Sequence, residues 1–198
     1  MAMKLPLNDP RLRHILAYPS SSNEEYLRRV RELEKLGIDY IVLEGKTIIH
    51  GLRVIGKGCD SIVVKAILDG TMVALKVRRL DSGIKSMVRE GMNLALANTV
   101  GVGPRCYGFS DDIVVYGFIE GKPLEEVVQR GVTSKELKLL LIDLLIQCYL
   151  LDRIGLDHGE LSRPTKHVLV DQRLHPVIID FSASSTTRKA RNVSAISG

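Results

Sequence analysis

Two apolar segments joined by a two-residue turn signal constrain the fold of this chain more than any other feature. Residues 62–68 and 71–77 are rich in Val, Ile and Leu, and Asp69 and Gly70 lie between them. An Asp-Gly pair readily adopts the positive φ angles of a tight hairpin turn. We therefore expect a long antiparallel β-hairpin, which excludes a purely helical fold.

Shorter β-type runs and two helices surround this hairpin. An N-terminal helix is expected to begin near Ser22, which is followed by acidic residues, and to end at Gly37. Apolar residues from Tyr26 to Leu36 fall at helical spacing between these two signals. Further strands are predicted at residues 40–43, 47–49, 52–55 and 113–119, and a helix at residues 85–97.

The chain changes character after a Gly-Lys-Pro break at residues 121–123. Helices are predicted at residues 123–130 and 134–154, and short β-type runs at residues 168–170 and 177–179. The sequence thus predicts an α+β fold with an antiparallel β lobe that contains one helix, and a smaller, mainly helical lobe. The predicted divisions are a helical and hairpin appendage, an N-terminal lobe and a reduced C-terminal lobe, at residues 1–45, 46–119 and 120–198.

Composition indicates an ordinary globular chain. Among the 198 residues, 45% are hydrophobic and 26% are charged. No apolar run reaches the roughly 18 residues that a membrane span needs, and the N-terminus lacks a secretion signal, so we expect a cytoplasmic protein without a membrane partner. The three cysteines are too few and too far apart for a disulfide framework. Scarce Asn and Gln, together with plentiful Val and Ile, indicate a thermophilic source.

The formal net charge of +5 comes from a few basic clusters. Such an excess favours phosphate-bearing ligands, including nucleotides and RNA, although a solvated surface is the simpler interpretation. The clusters are Arg28, Arg29 and Arg31; Arg78 and Arg79; and Arg188, Lys189 and Arg191.

A glycine-bearing turn at residues 55–63 is the first segment with a chemical interpretation. Gly56 and Gly58 would let the backbone approach a phosphate group closely, and Ser61 follows them. Because no helix follows and no Gly-Lys-Ser/Thr sequence ends it, the turn is neither a dinucleotide fingerprint nor a Walker loop. A plain hairpin turn is the alternative.

Lys76 and Glu90 form a second candidate group. Lys76 lies inside an apolar strand, where an ammonium group is costly unless it is paired, and Glu90 follows on the next predicted helix. The alternatives are a lysine on the solvent face of an edge strand and an ordinary surface glutamate.

Polar residues also follow the long helix and the last β-type run. Asp157, His158 and Glu160 come directly after the helix, and Asp180 ends an apolar strand. Carboxylate oxygens are preferred ligands of Mg²⁺, so Asp180 is a candidate metal ligand. A turn-forming aspartate is the alternative.

The order and spacing of these groups resemble the eukaryotic-type protein-kinase superfamily. Leu-Ser after Glu160 and Ile-Asp-Phe-Ser around Asp180 are similar to the Rio family, and the apolar hinge at residues 116–124 is typical of the small atypical kinases, including the kinase of the tRNA-threonylcarbamoyl machinery. The resemblance covers residues 52–182 and implies a two-lobed kinase-like fold. The matched positions, in order, are Gly56, Gly58, Ser61, Lys76, Glu90, His158, Glu160 and Asp180.

The resemblance implies that ATP and Mg²⁺ or Mn²⁺ are cofactors. Gly56, Gly58 and Ser61 would cover the triphosphate. Lys76, held by Glu90, would bind the α- and β-phosphates.

The same resemblance implies roles for residues further along the chain. The backbone from Phe118 to Glu120 would bind the adenine edge, and His158 would brace the catalytic loop. Glu160 would orient or deprotonate the attacking hydroxyl, and Asp180 would hold the metal ion.

Four positions depart from the family pattern. Ser61 and Ser182 each replace a family glycine, a change that atypical kinases tolerate, and the other two concern the catalytic acid and the second metal ligand. Glu160 stands where the family has aspartate, with Asp157 as a nearby alternative acid. The family's second metal ligand, an asparagine, is replaced by Thr165, or by His167 if two residues are inserted. Imidazole is a poorer Mg²⁺ ligand than an amide oxygen.

The sequence therefore predicts an atypical serine/threonine kinase that phosphorylates itself or a bound protein partner, since the short C-terminal lobe lacks a platform for extended peptides. The alternatives are a catalytically impaired nucleotide-binding or scaffold protein with this fold, and a small-molecule phosphotransferase. RNA or a ribonucleoprotein is a further expected partner. Residues 184–187 are expected to form a flexible polar tail, or else to be phospho-acceptors.

Overall fold

The computed structural model describes residues 2–198, which divide into two compact units. The first unit comprises the chain up to Gly91 together with Cys106–Phe118, and the second comprises Met92–Arg105 and Ile119–Gly198. The strands are β1 (Met3–Pro6), β2 (Ile38–Leu43), β3 (Thr47–Ile49), β4 (Leu52–Val54), β5 (Gly56–Lys57), β6 (Ser61–Leu68), β7 (Thr71–Arg78), β8 (Cys106–Phe109), β9 (Ile113–Gly117), β10 (Gly121–Pro123), β11 (Val168–Asp171) and β12 (Pro176–Ile178). The helices are α1 (Arg13–Leu16), α2 (Asn23–Lys35), α3 (Val88–Asn98), α4 (Leu124–Gln129), α5 (Ser134–Arg153), α6 (Pro164–His167) and α7 (Asn192–Ser197). The predicted α+β class is confirmed.

The first unit is built on an antiparallel sheet whose strands lie in the order β1-β2-β6-β7-β9-β8, with β5 also paired to β6. The predicted hairpin is formed by β6 and β7, with Leu68 opposite Thr71. Asp69 and Gly70 have φ angles of 46° and 73°, as a two-residue turn with both central residues at positive φ requires. The hairpin prediction is therefore confirmed.

Helix α2 also follows its sequence signals. The Ser22 side chain accepts a hydrogen bond from the Glu25 amide, and Gly37 has a φ angle of 76° beyond the end of the helix. Tyr26 and Leu33 are buried, so the apolar face of the helix packs into the core of the first unit.

Residues 1–45, expected as an appendage, contribute two strands to the main sheet of the first unit. Strand β1 pairs with β2, and β2 pairs with β6. The Tyr26 hydroxyl donates hydrogen bonds to the carbonyl oxygens of Leu7 and Asp9, at 2.7 and 3.0 Å. The N-terminal segment is thus held by both backbone pairing and a side chain of α2.

Several arginines of the expected basic surface are paired with one buried carboxylate. Asp112, which is 1% exposed, forms ion pairs with Arg28, Arg29 and Arg78. The fully buried Arg29 also donates to the carbonyl oxygen of Leu16. A buried charge is tolerated only with such partners, so these arginines connect elements of the first unit.

In the second unit, β10, β11 and β12 form an antiparallel sheet, and α5 supplies much of the core. Helix α5 begins with a capping box between Thr133 and Glu136. Across residues 2–198, no helix combines the length and apolar character needed to cross a membrane. The buried residues of α5 recur at helical spacing and are Leu140, Leu144, Cys148 and Leu151.

The C-terminal segment is part of the second unit's packed structure. Ser185 and Asp157 exchange two backbone hydrogen bonds, at 2.9 and 2.8 Å. Ser184 is fully buried and its hydroxyl donates to the His158 carbonyl oxygen. Burial of Ser184 and backbone pairing of Ser185 hold the start of this segment in place, so the expectation of a flexible tail is wrong for these two residues. The burial of Ser184 also removes it as an accessible phospho-acceptor.

The side chain of Asn192 holds the end of the C-terminal segment in place. Its side chain is buried and donates to the carboxylate of Asp152 at 2.7 Å and to the carbonyl oxygen of Leu156 at 2.8 Å. Its carbonyl oxygen accepts a hydrogen bond from the backbone amide of His158 at 2.8 Å. One amide side chain thereby connects the end of α5, the following turn and α7.

Candidate functional site

A buried ion pair joins β7 to α3 in the first unit. The Lys76 Nζ atom lies 2.7 Å from Oε1 of Glu90, and the two side chains are 11% and 9% exposed. Strand β7 is an interior strand, because Lys76 lies opposite Val63 of β6 and Val114 of β9. The alternative of a lysine on the solvent face of an edge strand is therefore wrong.

The stability of the fold does not by itself explain this pair. Replacing a buried ion pair with well-packed apolar residues is often neutral or stabilising, because both charges lose their hydration. Lys76 nevertheless lies between two buried neighbours in the chain, Leu75 and Val77. A fixed ammonium group such as that of Lys76 offers positive charge and N–H donors, and both bind phosphate oxygens.

The glycine turn has no internal structural need for its two glycines. A Cβ atom added to Gly56 would meet no atom within 4 Å, and one added to Gly58 would lie 3.7 Å from the Ser61 carbonyl oxygen. Ser61 itself begins β6 and is buried, with 7% of its surface exposed. The space over both glycines is therefore open to a ligand.

Side chains that the sequence analysis did not single out hold this turn. Arg79 donates from Nη1 to the Gly58 carbonyl oxygen at 2.7 Å, and its backbone amide donates to the Asp60 carbonyl oxygen at 2.8 Å. The Lys57 ammonium donates to the Tyr18 hydroxyl at 2.8 Å. The sequence showed Arg79 only as one charge of a basic pair, since its contact with Gly58 is a tertiary one.

The residues expected to form a hinge fall on either side of the division between units. Phe118 belongs to the first unit, where the Lys65 ammonium lies 4.3 Å from the centre of its ring. Glu120 belongs to the second unit and is exposed.

The second unit brings together three of the predicted residues. Glu160, His167 and Asp180 each offer one ligand atom, and these atoms lie within 4.8 Å of one another. The Nε2 atom of His167 is 3.8 Å from Oε2 of Glu160. Two carboxylates and one imidazole form a donor set for a divalent cation, with a nitrogen ligand that Mn²⁺ accepts more readily than Mg²⁺.

The other candidates near this group are placed differently. Thr165 is exposed on α6, whereas His167 is buried at the end of the same helix. Asp157 accepts a hydrogen bond from Nε of Arg188 at 2.8 Å and is not part of the three-residue group. Of the alternatives in the sequence, the structure thus places Glu160 and His167 beside Asp180.

Asp180 has an unusual backbone conformation. Its φ and ψ angles are 67° and 77°, in the left-handed region that costs a non-glycine residue roughly 1–2 kcal/mol. Its side chain accepts a hydrogen bond from the Ser182 hydroxyl at 2.8 Å. Strained residues cluster at functional sites, where the conformation aims a side chain.

His158 contacts residues on both sides of Asp180 and one of the other two residues of the group. Its Nε2 atom bonds to the carbonyl oxygen of Ile179 at 3.1 Å, and its ring packs edge-on against Phe181 and His167. Burial lowers the pKa of His158 to about 4, so the ring is neutral at pH 7 and donates from Nε2. The hydrogen bond of His158 is therefore made to Ile179, the residue before Asp180.

Comparisons with protein-family models and with curated proteins found no relative of this chain. No protein-family model matches the chain, and no curated protein matches it. The function of the chain is therefore inferred from the geometry of the two residue groups and from the order of the sequence motifs.

Proposed function

We propose that the chain is an atypical kinase, with a kinase-like arrangement of its two units, that transfers a phosphoryl group from ATP to a hydroxyl group. The observation that carries this proposal is the Lys76–Glu90 ion pair, 2.7 Å long and buried on an interior strand. Its proposed role is to present a fixed positive charge to the phosphates of ATP, as phosphoryl transfer requires. The open backbone at Gly56 and Gly58 supports the same role for the turn.

The proposed cation ligands are His167 and Asp180, and Glu160 lies beside them as the proposed base. A divalent cation held there would neutralise charge on the transferred phosphoryl group. The ligand atoms lie within 4.8 Å of one another, and the donors include both carboxylate oxygen and imidazole nitrogen. This mixed donor set fits Mn²⁺ better than Mg²⁺.

In the proposed reaction, the acceptor oxygen forms a bond to the γ-phosphorus while the bond from that phosphorus to the bridging oxygen breaks, which releases ADP. The hydroxyl proton passes to Glu160 or to solvent. Lys76 binds the phosphates and Asp180 holds the cation. A serine or threonine of this chain or of a protein partner is the proposed acceptor, and an RNA partner stays a prediction.

One observation favours a second candidate function, nucleotide binding without transfer. Glu160 lies 3.8 Å from His167 and within the cation group. If its carboxylate binds the cation, it is not available as a base. The chain would then act as a nucleotide-dependent binding protein.

Labelled ATP tests the proposal directly. We expect label on the protein, or released phosphate, in the presence of Mn²⁺ or Mg²⁺, and a loss of about a hundredfold or more in Lys76→Met and Asp180→Asn. Lys35→Met, at an exposed lysine of α2, is the matched control and should retain full activity. Equal activity in Lys76→Met and Lys35→Met would contradict the proposal. ATP binding without any transfer would establish the second candidate.

The cation preference is tested by His167→Asn. An amide oxygen in place of the imidazole nitrogen should lower the Mg²⁺ concentration needed for half-maximal activity relative to that of Mn²⁺. His175→Asn, at an exposed histidine outside the group, is the control. An unchanged ratio of the two metal requirements would remove His167 from the ligand set.

A further inference from the structure

A polar cavity of about 500 Å³ lies in the second unit, next to the turn that carries Glu160. Its volume is in the range of small-ligand sites. Gly159, which directly precedes Glu160, forms part of its wall. The polar residues and the glycine that line it are Asp157, Gly159, Ser162, Arg188, Arg191 and Ser194.

Arg188 is held in the wall of this cavity by two hydrogen bonds. Its Nε donates to Asp157 at 2.8 Å and its Nη2 to the carbonyl oxygen of Ala183 at 2.6 Å. A Cβ atom on Gly159, whose φ angle is 88°, would lie 2.5 Å from that Nη2. Glycine at this position is therefore what lets the guanidinium lie against the turn. The guanidinium is fixed in place and has further N–H groups for a ligand.

Arg191 adds a second positive charge. It is exposed, and within residues 2–198 no ion pair involves it. Asp157, the single acidic residue of the wall, is paired with Arg188, so Arg191 gives the cavity a net positive charge. Ser162 places an exposed hydroxyl group at the same cavity.

Most arginines of the other two basic clusters have acidic partners. Arg28 and Arg78 contact the buried Asp112, and Arg79 is paired with Asp81 at 2.6 Å. The C-terminal cluster also contains one such pair, Arg188 with Asp157, but within residues 2–198 Arg191 has no ion pair, and it lines a cavity beside a proposed reacting group.

We propose that this cavity binds a phosphomonoester group on the molecule that accepts the phosphoryl group, an inference that rests on the proposed kinase function. A phosphomonoester is close to a dianion at pH 7, and it gains more from two guanidinium groups than a monoanion does. Guanidinium groups also match the geometry of phosphate oxygens. A cavity receives a terminal group, whereas the backbone of a nucleic acid requires a basic groove along its length.

Anion binding to the whole chain, without ATP or metal, tests the inference. The Nε–H resonances of Arg188 and Arg191 are followed by ¹H–¹⁵N spectroscopy during titration with inorganic phosphate, O-phosphoserine or ribose 5-phosphate, against chloride at equal ionic strength. Saturable shifts of both resonances are expected. Tighter binding of O-phosphoserine identifies a phosphorylated side chain as the source of the group, and tighter binding of ribose 5-phosphate identifies a small metabolite.

A matched pair of variants separates a site from general charge. Arg191→Gln should weaken phosphate binding about tenfold or more, because a charge-assisted hydrogen bond is lost. Lys189→Gln removes the same charge from an exposed neighbour outside the cavity wall and should leave the affinity nearly unchanged. Equal weakening by both variants, or no saturable shift, would overturn the inference. So would tighter binding of an oligoribonucleotide with hydroxyl ends than of phosphate.

The outcomes separate this inference from the function on which it rests. Phosphate binding at Arg188 and Arg191 without transfer of label from ATP would leave the anion site in place and refute the kinase. Transfer of label without phosphate binding would refute the anion site alone.

Discussion

Three guanidinium groups depend on the carboxylate of Asp112. Burial alone would raise the pKa of Asp112, but the hydrogen bond from Arg28 and the charges of Arg29 and Arg78 outweigh it and lower that pKa. Burial also lowers the pKa of Arg29, which Asp112 partly counteracts. The network is therefore stable only while Asp112 is ionised.

Asp112→Asn should destabilise the protein by about 3–5 kcal/mol at pH 7, because it leaves the fully buried Arg29 without its counter-charge. In the natural chain, the contribution of Asp112 is present above its unfolded pKa of about 4 and is lost as the pH falls through its lower folded pKa. Urea unfolding at pH 7 and at acid pH measures both effects.

The adjacent Asp111→Asn is the matched control, since Asp111 is exposed and its side chain accepts a surface hydrogen bond from the Ser86 hydroxyl. It should change the free energy of unfolding by about 0.5 kcal/mol or less. A comparable loss in both variants would show that Asp112 has no special role.

The side chains of the candidate site divide into those that the sequence reveals and those that it does not. Lys76, Glu160 and Asp180 are identifiable because their order along the chain is informative. Arg79 at the glycine turn is not, because its role arises from a contact with a residue far away in sequence. The same holds outside the site for Asp112, which contacts Arg28, 84 positions earlier. Sequence counts therefore overstate the basic surface, since charge pairing is a tertiary property.

At the scale of elements, α5 has two apolar faces with different environments. One face is buried in the second unit and includes Leu144, which is 2% exposed. The other is solvent-facing and includes Ile146, which is 52% exposed. Since burial determines how much an apolar side chain contributes to stability, substitutions on the two faces should change the free energy of unfolding by different amounts.

Leu144→Ala should destabilise the protein by about 2–5 kcal/mol, because it removes buried methyl groups and leaves a cavity. Ile146→Gln should change stability by about 0.5 kcal/mol or less, because its side chain already contacts water. Chemical denaturation of the two variants provides the comparison. A large loss in Ile146→Gln would mean that this face is covered in solution.

The elements predicted correctly are those with local signals. The β6–β7 hairpin, α2 and α5 each carry their turn, cap or periodicity within their own sequence. Strand β1 has four residues and is stabilised by pairing with β2, which lies more than thirty residues later. Helix α7 has no apolar periodicity and depends on the buried Asn192, so neither element could be predicted from its own residues.

At the scale of the whole molecule, the three cysteines report on different environments. Cys59 is exposed in the glycine turn, and Cys106 is half-buried in β8. Cys148 is buried, and burial raises the pKa of its thiol to about 12. Since the thiolate is the reactive form, native labelling should modify Cys59 first and Cys148 last.

ATP with Mn²⁺ should slow alkylation of Cys59, because the proposed function places the triphosphate at the glycine turn. Mass spectrometry of the labelled protein gives the rate at each cysteine. Cys106, whose pKa burial raises, serves as the internal control and should label at an unchanged rate. Equal rates at Cys59 with and without nucleotide, at a concentration that supports phosphoryl transfer, would contradict the placement of the triphosphate.

The class of the whole molecule was predictable, but its division was not visible along the chain. Hairpin signals and helical periodicity define the α+β class. The two units, however, are defined by contacts: residues 92–105 group with the second unit and Cys106–Phe118 with the first. The chain passes between the units three times, and one of these passages falls between Phe118 and Ile119.

Gly56 and Gly58 have a consequence for genetics. Because a side chain at either position would find open space, selection for folding should tolerate many residues there, while selection for ligand binding should not. A library that varies these two codons, scored once for cellular abundance and once for growth that depends on the protein, would separate the two selective pressures. At most positions in a compact protein the two pressures cannot be told apart, since a residue that contributes to function usually also contributes to packing.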